Sequence, residues 1–413
     1  MVEGGASSGP EIPSGPKISR RTFLKGAAVA GAVGVAIGVA GGKIADAMVD
    51  RRRIESGWQS QIVEVNGAKV ELSWVESKPK GKENVDPTRA VINISPWSWA
   101  AEMPIIRNGG QKIADRFGEN TYTISTRTDK IHPEALFTES QGIAQFITER
   151  NFREVTIFGH SEGGIKAVDL AAILQANNPQ VKINGVVLLD PMGMYSRDIA
   201  DLAGSFFNDT RKVGPEEFKR AQKLPPEGMV LQFLLSLWQD LRFFGLQYPK
   251  AVQEELKAMA RPNPRLSQIK APVLLLTGER DYISDFRRYF SKDEVEKRLK
   301  SVLSDEQLRS WIDSESKWEK LPQEERDKFG SKEEFVKHYM QAYRKHEELV
   351  RMSKARNQYL RENILPQAEN ASFILATKPA ASHGGLPDTR FESVIRVAKR
   401  IFPRFRRQSP STI

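Results

Sequence analysis

The sequence predicts an α/β protein in which helices cover both faces of a mostly parallel β-sheet, with a helical cap and an additional long helical insertion. Short apolar segments alternate with helical segments along most of the chain, which is the pattern of repeated strand–helix units. Several strand segments are apolar at nearly every position, as expected of parallel strands buried on both faces. A hairpin of alternating polar and apolar residues precedes them.

The predicted elements follow one another in a regular order. The hairpin covers residues 61–65 and 69–75, and the connecting Asn66-Gly67 favours a two-residue turn. Later strands are predicted from short apolar runs at 90–95, 121–125, 155–158, 183–189, 272–277 and 372–376. Helices are predicted near 105–117, 139–150, 163–175 and 388–402.

Two blocks interrupt this alternation and divide the chain. Residues 194–269 are expected to form a helical block, and their apolar stretch at 230–238 either lines a pocket or forms the core of this block. Residues 285–366 are highly charged, and capping-box signatures such as Ser331-x-x-Glu334 predict helices there. The remaining core is then assigned to residues 48–193, 270–284 and 367–413, after a leader at 1–47.

Composition excludes several kinds of chemistry. The 413 residues carry a net charge of +10 and include no cysteine. The chain therefore has no disulfides, no thiolate metal ligands and no cysteine nucleophile. Basic residues concentrate at 51–53 and 399–407, which favours contact with anionic lipid headgroups at a membrane surface, and we expect no nucleic-acid partner.

The N-terminus predicts an export signal. Ser19-Arg20-Arg21-Thr22-Phe23-Leu24-Lys25 precedes an uncharged stretch rich in Ala, Gly and Val at 26–42. This segment resembles a twin-arginine (Tat) signal. The resemblance implies that the Tat translocase delivers the folded chain across a prokaryotic cytoplasmic membrane, to the periplasm or the cell surface. Ala45-Asp46-Ala47 predicts signal-peptidase cleavage before Met48, and an uncleaved membrane anchor is the alternative.

One short motif points to the chemistry. Gly159-His160-Ser161-Glu162-Gly163 lies between a predicted strand and a predicted helix. The glycines allow a turn tight enough for the helix to pack back on the strand, and the helix N-terminus places backbone N–H groups near the serine. This G-x-S-x-G arrangement resembles the nucleophile elbow of the α/β-hydrolase superfamily. The resemblance implies an α/β-hydrolase fold with Ser161 as the nucleophile. It also implies that the block at 194–269 is a helical cap over the active site, where the apolar stretch at 230–238 would form either an acyl-binding wall or the core of the cap.

The same resemblance implies a base and an acid. Of the five histidines, only His383 follows the last predicted strand, where the superfamily places its catalytic histidine. Asp281 follows the strand at 272–277 and matches the acid position of the superfamily, while Asp190, after the strand at 183–189, is the alternative acid. The carboxylate would fix the imidazole tautomer, and the imidazole would take the serine proton.

An oxyanion hole requires two backbone donors. The superfamily pattern implies Glu162, directly after the nucleophile, as one donor and the loop after the strand at 90–95 as the source of the other. Pro96 has no N–H, so Trp97 is the expected second donor.

Together these residues predict an exported serine hydrolase that cleaves carboxylic esters or related small acyl compounds through an acyl-enzyme. The resemblance implies no metal ion and no organic cofactor. A serine at the elbow argues against dehalogenase and epoxide-hydrolase chemistry, which use an aspartate nucleophile in this superfamily. Peptidase, thioesterase, lyase and perhydrolase activities use the same triad and stay open, as does a binding protein that kept the fold without turnover.

Overall fold

The fold was analysed in a computed structural model. The structure describes residues 42–97, 99–194 and 229–278 continuously, and shorter pieces at 198–199, 202, 205, 318–319, 322–327, 330–335, 337, 358, 360–369, 371–376, 398 and 402.

Among the described residues, eight strands form one mixed sheet, as the sequence predicts. The strands are β1 (Gln59–Val65), β2 (Ala68–Ser77), β3 (Arg89–Ile94), β4 (Asn120–Thr128), β5 (Glu154–His160), β6 (Lys182–Leu189), β7 (Val273–Gly278) and β8 (Ala371–Ala376). Their order across the sheet is β1-β2-β4-β3-β5-β6-β7-β8. The β1–β2 and β2–β4 pairs are antiparallel, and every later pair is parallel.

The entry hairpin has the turn that its sequence predicts. Asn66 and Gly67 both adopt positive φ, at 50° and 74°. That combination belongs to the hairpin turn whose twist matches the flanking strands, and asparagine followed by glycine is its favoured sequence. The turn fixes the register that pairs Val63 with Val70.

In the part of the chain that the structure describes, six longer helices accompany the sheet. They are α1 (42–56), α2 (Pro104–Phe117), α3 (Ala135–Glu149), α4 (Glu162–Asn177), α5 (Met229–Phe244) and α6 (Tyr248–Met259). The sequence predicts α2, α3 and α4 near these positions, and α5 and α6 lie within the 194–269 block that it predicts to be helical. Among the described residues, no helix is both long and apolar enough to cross a membrane.

Helices pack on both faces of the sheet. On one face, Ile92 and Ile157 belong to the same buried cluster as residues of α3 and α4. On the other face, Val91 and Phe158 pack with Phe117 of α2, and the rings of Phe117 and Phe158 meet edge to face at 5.6 Å. Because successive strand residues point to opposite faces, the apolar runs in the sequence supply both cores at once.

Some predicted features fall largely outside the described residues. Of the final helix predicted at 388–402, only Ala398 and Phe402 are described, and both join the cluster that contains α2. In the charged 285–366 block, the predicted cap at Ser331 is present, because the Glu334 N–H donates to Ser331 Oγ at 3.1 Å.

Helix α1 spans the predicted boundary between the leader, which ends at residue 47, and the core, which begins at residue 48. Residues 42–56 form one continuous helix, so the cleavage position predicted between Ala47 and Met48 lies inside it. The helix packs on α5, where Ala45 and Val49 bury against Leu235.

Candidate active site

Ser161 occupies the sharp turn between β5 and α4. Its backbone has φ 56° and ψ −120°, in the positive-φ region that residues other than glycine rarely adopt. Three hydrogen bonds hold this conformation: the Ser161 N–H donates to the Leu189 carbonyl at 2.9 Å, and the Ser161 carbonyl accepts from the N–H groups of Gly164 and Met192, each at 3.0 Å. The surrounding structure therefore fixes a strained residue at the end of a buried strand.

Both glycines of the motif are required by close backbone packing. A Cβ on Gly159 would collide with the carbonyl of Gly163 and come within 2.7 Å of the Ala167 Cβ. A Cβ on Gly163 would lie 2.5 Å from the Ile94 oxygen and 2.7 Å from the Ser95 oxygen. The start of α4 thus rests directly on β5 and on the end of β3, as expected of a nucleophile elbow.

The loop after β3 lies next to this elbow. Its first residue is anchored by the Ser95 N–H, which donates to the Ile124 carbonyl at 2.9 Å. The contact between Gly163 and the Ser95 carbonyl brings this loop, with Trp97 two residues later, beside the start of α4. Glu162 is the first residue of α4, so its N–H has no acceptor within the helix. The two predicted oxyanion donors therefore belong to segments in contact.

Trp97 also connects this loop to α6. Its indole Nε1 donates to Glu255 Oε2 at 2.5 Å, and its ring packs with the cluster that contains Ile165 of α4 and Leu256 of α6. Burial raises the pKa of Glu255 well above its ordinary value, and the nearby carboxylates, Glu162 first among them, raise it further. Burial and these neighbouring charges therefore disfavour the ionised form of Glu255.

Asp190, the alternative acid, follows β6 beside the nucleophile. It is fully buried and has φ 42°, and its N–H donates to the Leu276 carbonyl of β7 at 2.7 Å. In the parallel register, His160 lies opposite Leu189, so Asp190 follows β6 where Ser161 follows β5. The other predicted members of the triad, Asp281 and His383, lie outside the described residues.

A buried charge network that the sequence analysis did not identify lies directly behind the elbow. Lys166 Nζ of α4 contacts Glu139 Oε2 at 2.6 Å and Glu162 Oε1 at 2.7 Å, and it donates to Thr126 Oγ1 at 3.1 Å. Thr126 Oγ1 in turn donates to Glu139 Oε2 at 2.7 Å. The one local signal was the spacing of Glu162 and Lys166, which places them on the same face of a helix.

Burial and charge act in opposite directions within this network. Burial disfavours the Lys166 ammonium, but the carboxylates of Glu139 and Glu162 outweigh that effect and raise the pKa of Lys166. Burial raises the pKa of Glu162, and Lys166 only partly opposes the rise. Among the described residues, Glu162 Oε2 has no hydrogen-bond partner. The side chain next to the nucleophile is thus held by one strong contact to Lys166.

Helix α5 is tied to the same region by polar contacts. The Ala100 N–H donates to Ser236 Oγ at 2.9 Å, Gln239 Nε2 donates to Glu102 Oε1 at 2.7 Å, and Arg127 Nε donates to Asp240 Oδ1 at 2.7 Å. Burial alone would lower the pKa of Arg127, but Asp240 and Glu71 outweigh it and raise the pKa. Across the described part of the chain, no group of histidine and acidic side chains has the arrangement of a metal site.

Comparisons with known proteins identify the leader and a set of similar folds. Residues 17–36 match the family model of the twin-arginine translocation pathway signal sequence. No curated protein matches the chain in sequence. Among solved structures, the chain is similar to a membrane phospholipase A described as a bacterial virulence factor, at 15% identity over 94% of this chain and 99% of that chain, with a TM-score of 0.46.

The chain is also similar to two further solved structures, which are those of an esterase and a bromoperoxidase. An esterase from Exiguobacterium antarcticum is 12% identical over 83% of this chain and 99% of that chain, with a TM-score of 0.43. A bromoperoxidase from Bacillus anthracis is 13% identical over 84% of this chain and 100% of that chain, also with a TM-score of 0.43.

The fold assignment follows from the sheet and the elbow. An antiparallel entry, the strand order β1-β2-β4-β3-β5-β6-β7-β8 and a strained serine directly after β5 are the layout of the α/β-hydrolase fold. The protein has this fold, as the sequence predicts. Its Tat signal directs it across the cytoplasmic membrane.

Proposed function

We propose that this protein is an exported serine hydrolase that cleaves carboxylic esters or related acyl compounds. The observation that carries the proposal is the backbone of Ser161, held at φ 56° between a buried strand and a helix N-terminus. Such strain costs of order 1–3 kcal/mol at a residue other than glycine. Strain of this kind at a serine in an elbow serves to present the hydroxyl to a substrate.

Each step of the proposed reaction uses a residue of this chain. Ser161 Oγ attacks the substrate carbonyl carbon while His383 takes the hydroxyl proton. Asp281 orients the imidazole and stabilises its positive charge. The N–H groups of Glu162 and Trp97 bind the oxyanion, and His383 gives the proton to the leaving alcohol. Water then attacks the acyl-enzyme, with His383 again as the base. The bond from the acyl carbon to Ser161 Oγ breaks, His383 returns the proton to Ser161 Oγ, and the acid leaves.

In this proposal α5 and α6 form the cap, because polar contacts hold both helices beside the elbow. Leu235 and Trp238 of α5 pack against α1, so they do not form the acyl-binding wall that residues 230–238 suggested. The half-buried Leu234 and Leu237 are the described residues of that stretch left to contact an apolar acyl group. We expect a pocket that prefers medium acyl chains to acetate, since each buried CH₂ contributes about 0.8 kcal/mol.

A fluorophosphonate probe tests the nucleophile. The wild-type protein should be labelled, and Ser161→Ala should not be. Ser73→Ala is the matched control, because Ser73 is also buried but lies in β2, away from the elbow. Labelling that survives in Ser161→Ala, or no labelling of the wild-type protein, would refute the proposal.

A second comparison decides between the two acids. Asp281→Asn should lower kcat by roughly 10⁴-fold, the loss expected when a triad aspartate is neutralised, and Asp190→Asn should keep most activity. The position of Asp190 beside the elbow makes this comparison necessary, since a carboxylate after β6 is also close to the nucleophile. The reverse ranking of the two variants would assign the role to Asp190.

A further inference from the structure

Helix α1 is part of the folded protein, although it directly follows the leader. Ala45 and Val49 are each only 4% exposed and pack against Leu235 of α5. Asp46 Oδ1 accepts hydrogen bonds from Trp238 Nε1 at 3.0 Å and from Arg242 Nη1 at 2.5 Å. The segment that connects the leader to the sheet is therefore docked on α5 by apolar and polar contacts together.

This docking occupies the predicted cleavage motif. Ala45-Asp46-Ala47 is helical, and two of its three residues contact α5. A peptidase binds the residues around the scissile bond in an extended conformation, so cleavage would require α1 to unfold locally and leave α5. Because the Tat route carries folded chains, the contact would already exist when the leader reaches the outer face of the membrane.

The connection between α5 and α6 presents an apolar surface close to the end of the leader. We call residues 242–250 the tip. Leu246 is fully exposed and Phe243 is 37% exposed, and the basic Arg242 and Lys250 lie at the two ends of the tip. Arg242 contacts Asp46, which is about one helical turn from residue 42, where the uncharged leader stretch ends.

A lipid bilayer is the partner that fits this arrangement. The uncharged stretch at 26–42 is shorter than the roughly 20 apolar residues of a full membrane span and is rich in glycine. Stable attachment generally needs a second signal besides one weak apolar anchor. Exposed apolar side chains flanked by arginine and lysine supply such a signal, because the apolar groups enter the headgroup region and the cations attract anionic lipids.

We propose that the leader stays attached after export and that α1 holds the tip against the outer surface of the cytoplasmic membrane. The retained leader and the tip then act as two membrane contacts joined by one folded helix. This proposal does not depend on the hydrolase assignment, because neither contact involves Ser161.

The mass of the exported protein tests leader retention. Full-length protein in the membrane fraction is expected for the wild type, and a chain that begins at Met48 would overturn the proposal.

Leu235→Glu places a charge in the α1–α5 contact without altering the cleavage motif, and it should yield protein cut after Ala47 and released from the membrane. Ile62→Glu places the same charge at an exposed position of β1, outside both the tip and the α1–α5 contact; it is the matched control and should stay uncut. An uncut, folded Leu235→Glu protein would show that docking is not what protects the motif.

A fluorescent label tests the position of the tip. The chain has no cysteine, so Leu246→Cys gives a single labelling site. We would label the full-length protein with an environment-sensitive fluorophore and reconstitute it in vesicles of equal parts phosphatidylglycerol and phosphatidylethanolamine. Nitroxides attached to the acyl chains should quench this label. The control is a label at Lys182→Cys, which they should leave unchanged, because Lys182 is exposed at the amino end of the parallel strands, whereas the elbow lies at their carboxyl end. Equal emission and equal quenching at the two sites would overturn the proposed contact.

Discussion

Two places in the molecule use one charged side chain to join two partners, and they differ mainly in burial. Lys166 lies between Glu139 and Glu162, and all three side chains are at most 6% exposed. Asp46 lies between Trp238 and Arg242, and the side chains of its ion pair with Arg242 are 36% and 60% exposed. Similar short contacts therefore have different consequences, because removing one partner strands a buried charge only in the first case.

The largest expected effect is the loss of the buried cation. Lys166→Met leaves two buried carboxylates without their ammonium, so we expect the free energy of unfolding to fall by about 3–5 kcal/mol. Urea unfolding followed by circular dichroism measures this loss. The variant that combines Lys166→Met with Glu139→Gln and Glu162→Gln should recover much of it, since it leaves no stranded charge. A single variant as stable as the wild type would refute the comparison.

The next-largest loss of stability is expected from overpacking at the elbow, where Gly163 contacts backbone atoms. Gly163→Ala should cost about 3 kcal/mol, because the added methyl group lies 2.5 Å from the Ile94 oxygen and overpacks backbone against backbone. Gly81→Ala is the control: Gly81 has φ 72°, but a methyl group added there would meet no atom within 4 Å, so only the conformational cost of about 1–2 kcal/mol applies. Equal losses in thermal unfolding of the two variants would contradict the packing argument.

A third prediction concerns a buried carboxylate on α4, Asp169, whose partners are Asn263 and Arg265. Burial raises the pKa of Asp169 to about 6, although the hydrogen bond from Asn263 and the charge of Arg265 partly oppose the rise. Folding therefore favours the protonated acid. Its contribution to stability is largest below pH 4 and is lost as the pH rises through about 6, by at most about 3 kcal/mol.

Asp169→Asn removes the titrating group and keeps an oxygen that accepts from Asn263 Nδ2, as the carboxylate does at 2.8 Å. Urea midpoints measured between pH 4 and pH 7 should therefore fall less steeply in this variant than in the wild type. Parallel pH profiles for the two proteins would show that Asp169 is not the group responsible.

The smallest effect is expected at the exposed contact. Arg242→Met should change the free energy of unfolding by less than about 1 kcal/mol, because exposed ion pairs contribute little. Leu235→Ala on the same helix should cost about 2 kcal/mol or more, since Leu235 is buried against Ala45 and Val49. If the two losses in chemical unfolding were reversed, α1 would depend on charge rather than on apolar packing.

The strands were largely predictable, and the exceptions have a physical cause. β6 was predicted at 183–189 and covers Lys182–Leu189, because its apolar run ends where its burial ends. β4 was predicted to end at Ser125 but continues to Thr128. The extra residues are polar, yet Arg127 and Thr128 are buried and Thr126 is half-buried; Arg127 pairs with Asp240, and Thr126 pairs with Glu139. A prediction from hydrophobicity ends the strand before such polar residues, because the partners that allow their burial lie on helices.

The candidate site was also predictable only in part. The elbow was predictable because close packing imposes glycine at fixed positions around Ser161 in one short segment. The buried network was not, because Glu139 and Lys166 belong to different helices that meet only in the folded protein. The apolar stretch at 230–238 was also ambiguous. Leu235 in this stretch packs against α1, and the predicted boundary at residue 47 divides that helix between the leader and the core.

The order of strands along the chain has a consequence for the timing of export. β6 ends at Leu189, whereas its neighbour β7 begins only at Val273, and β8 begins at Ala371. Pairing such distant segments requires the closure of long loops, which slows folding. The Asp190 N–H beside the elbow donates to the Leu276 carbonyl of β7, so this contact also has to wait for β7 to dock. If the Tat route accepts only the folded chain, the late docking of β7 and β8 lengthens the time that each molecule spends in the cytoplasm before it leaves.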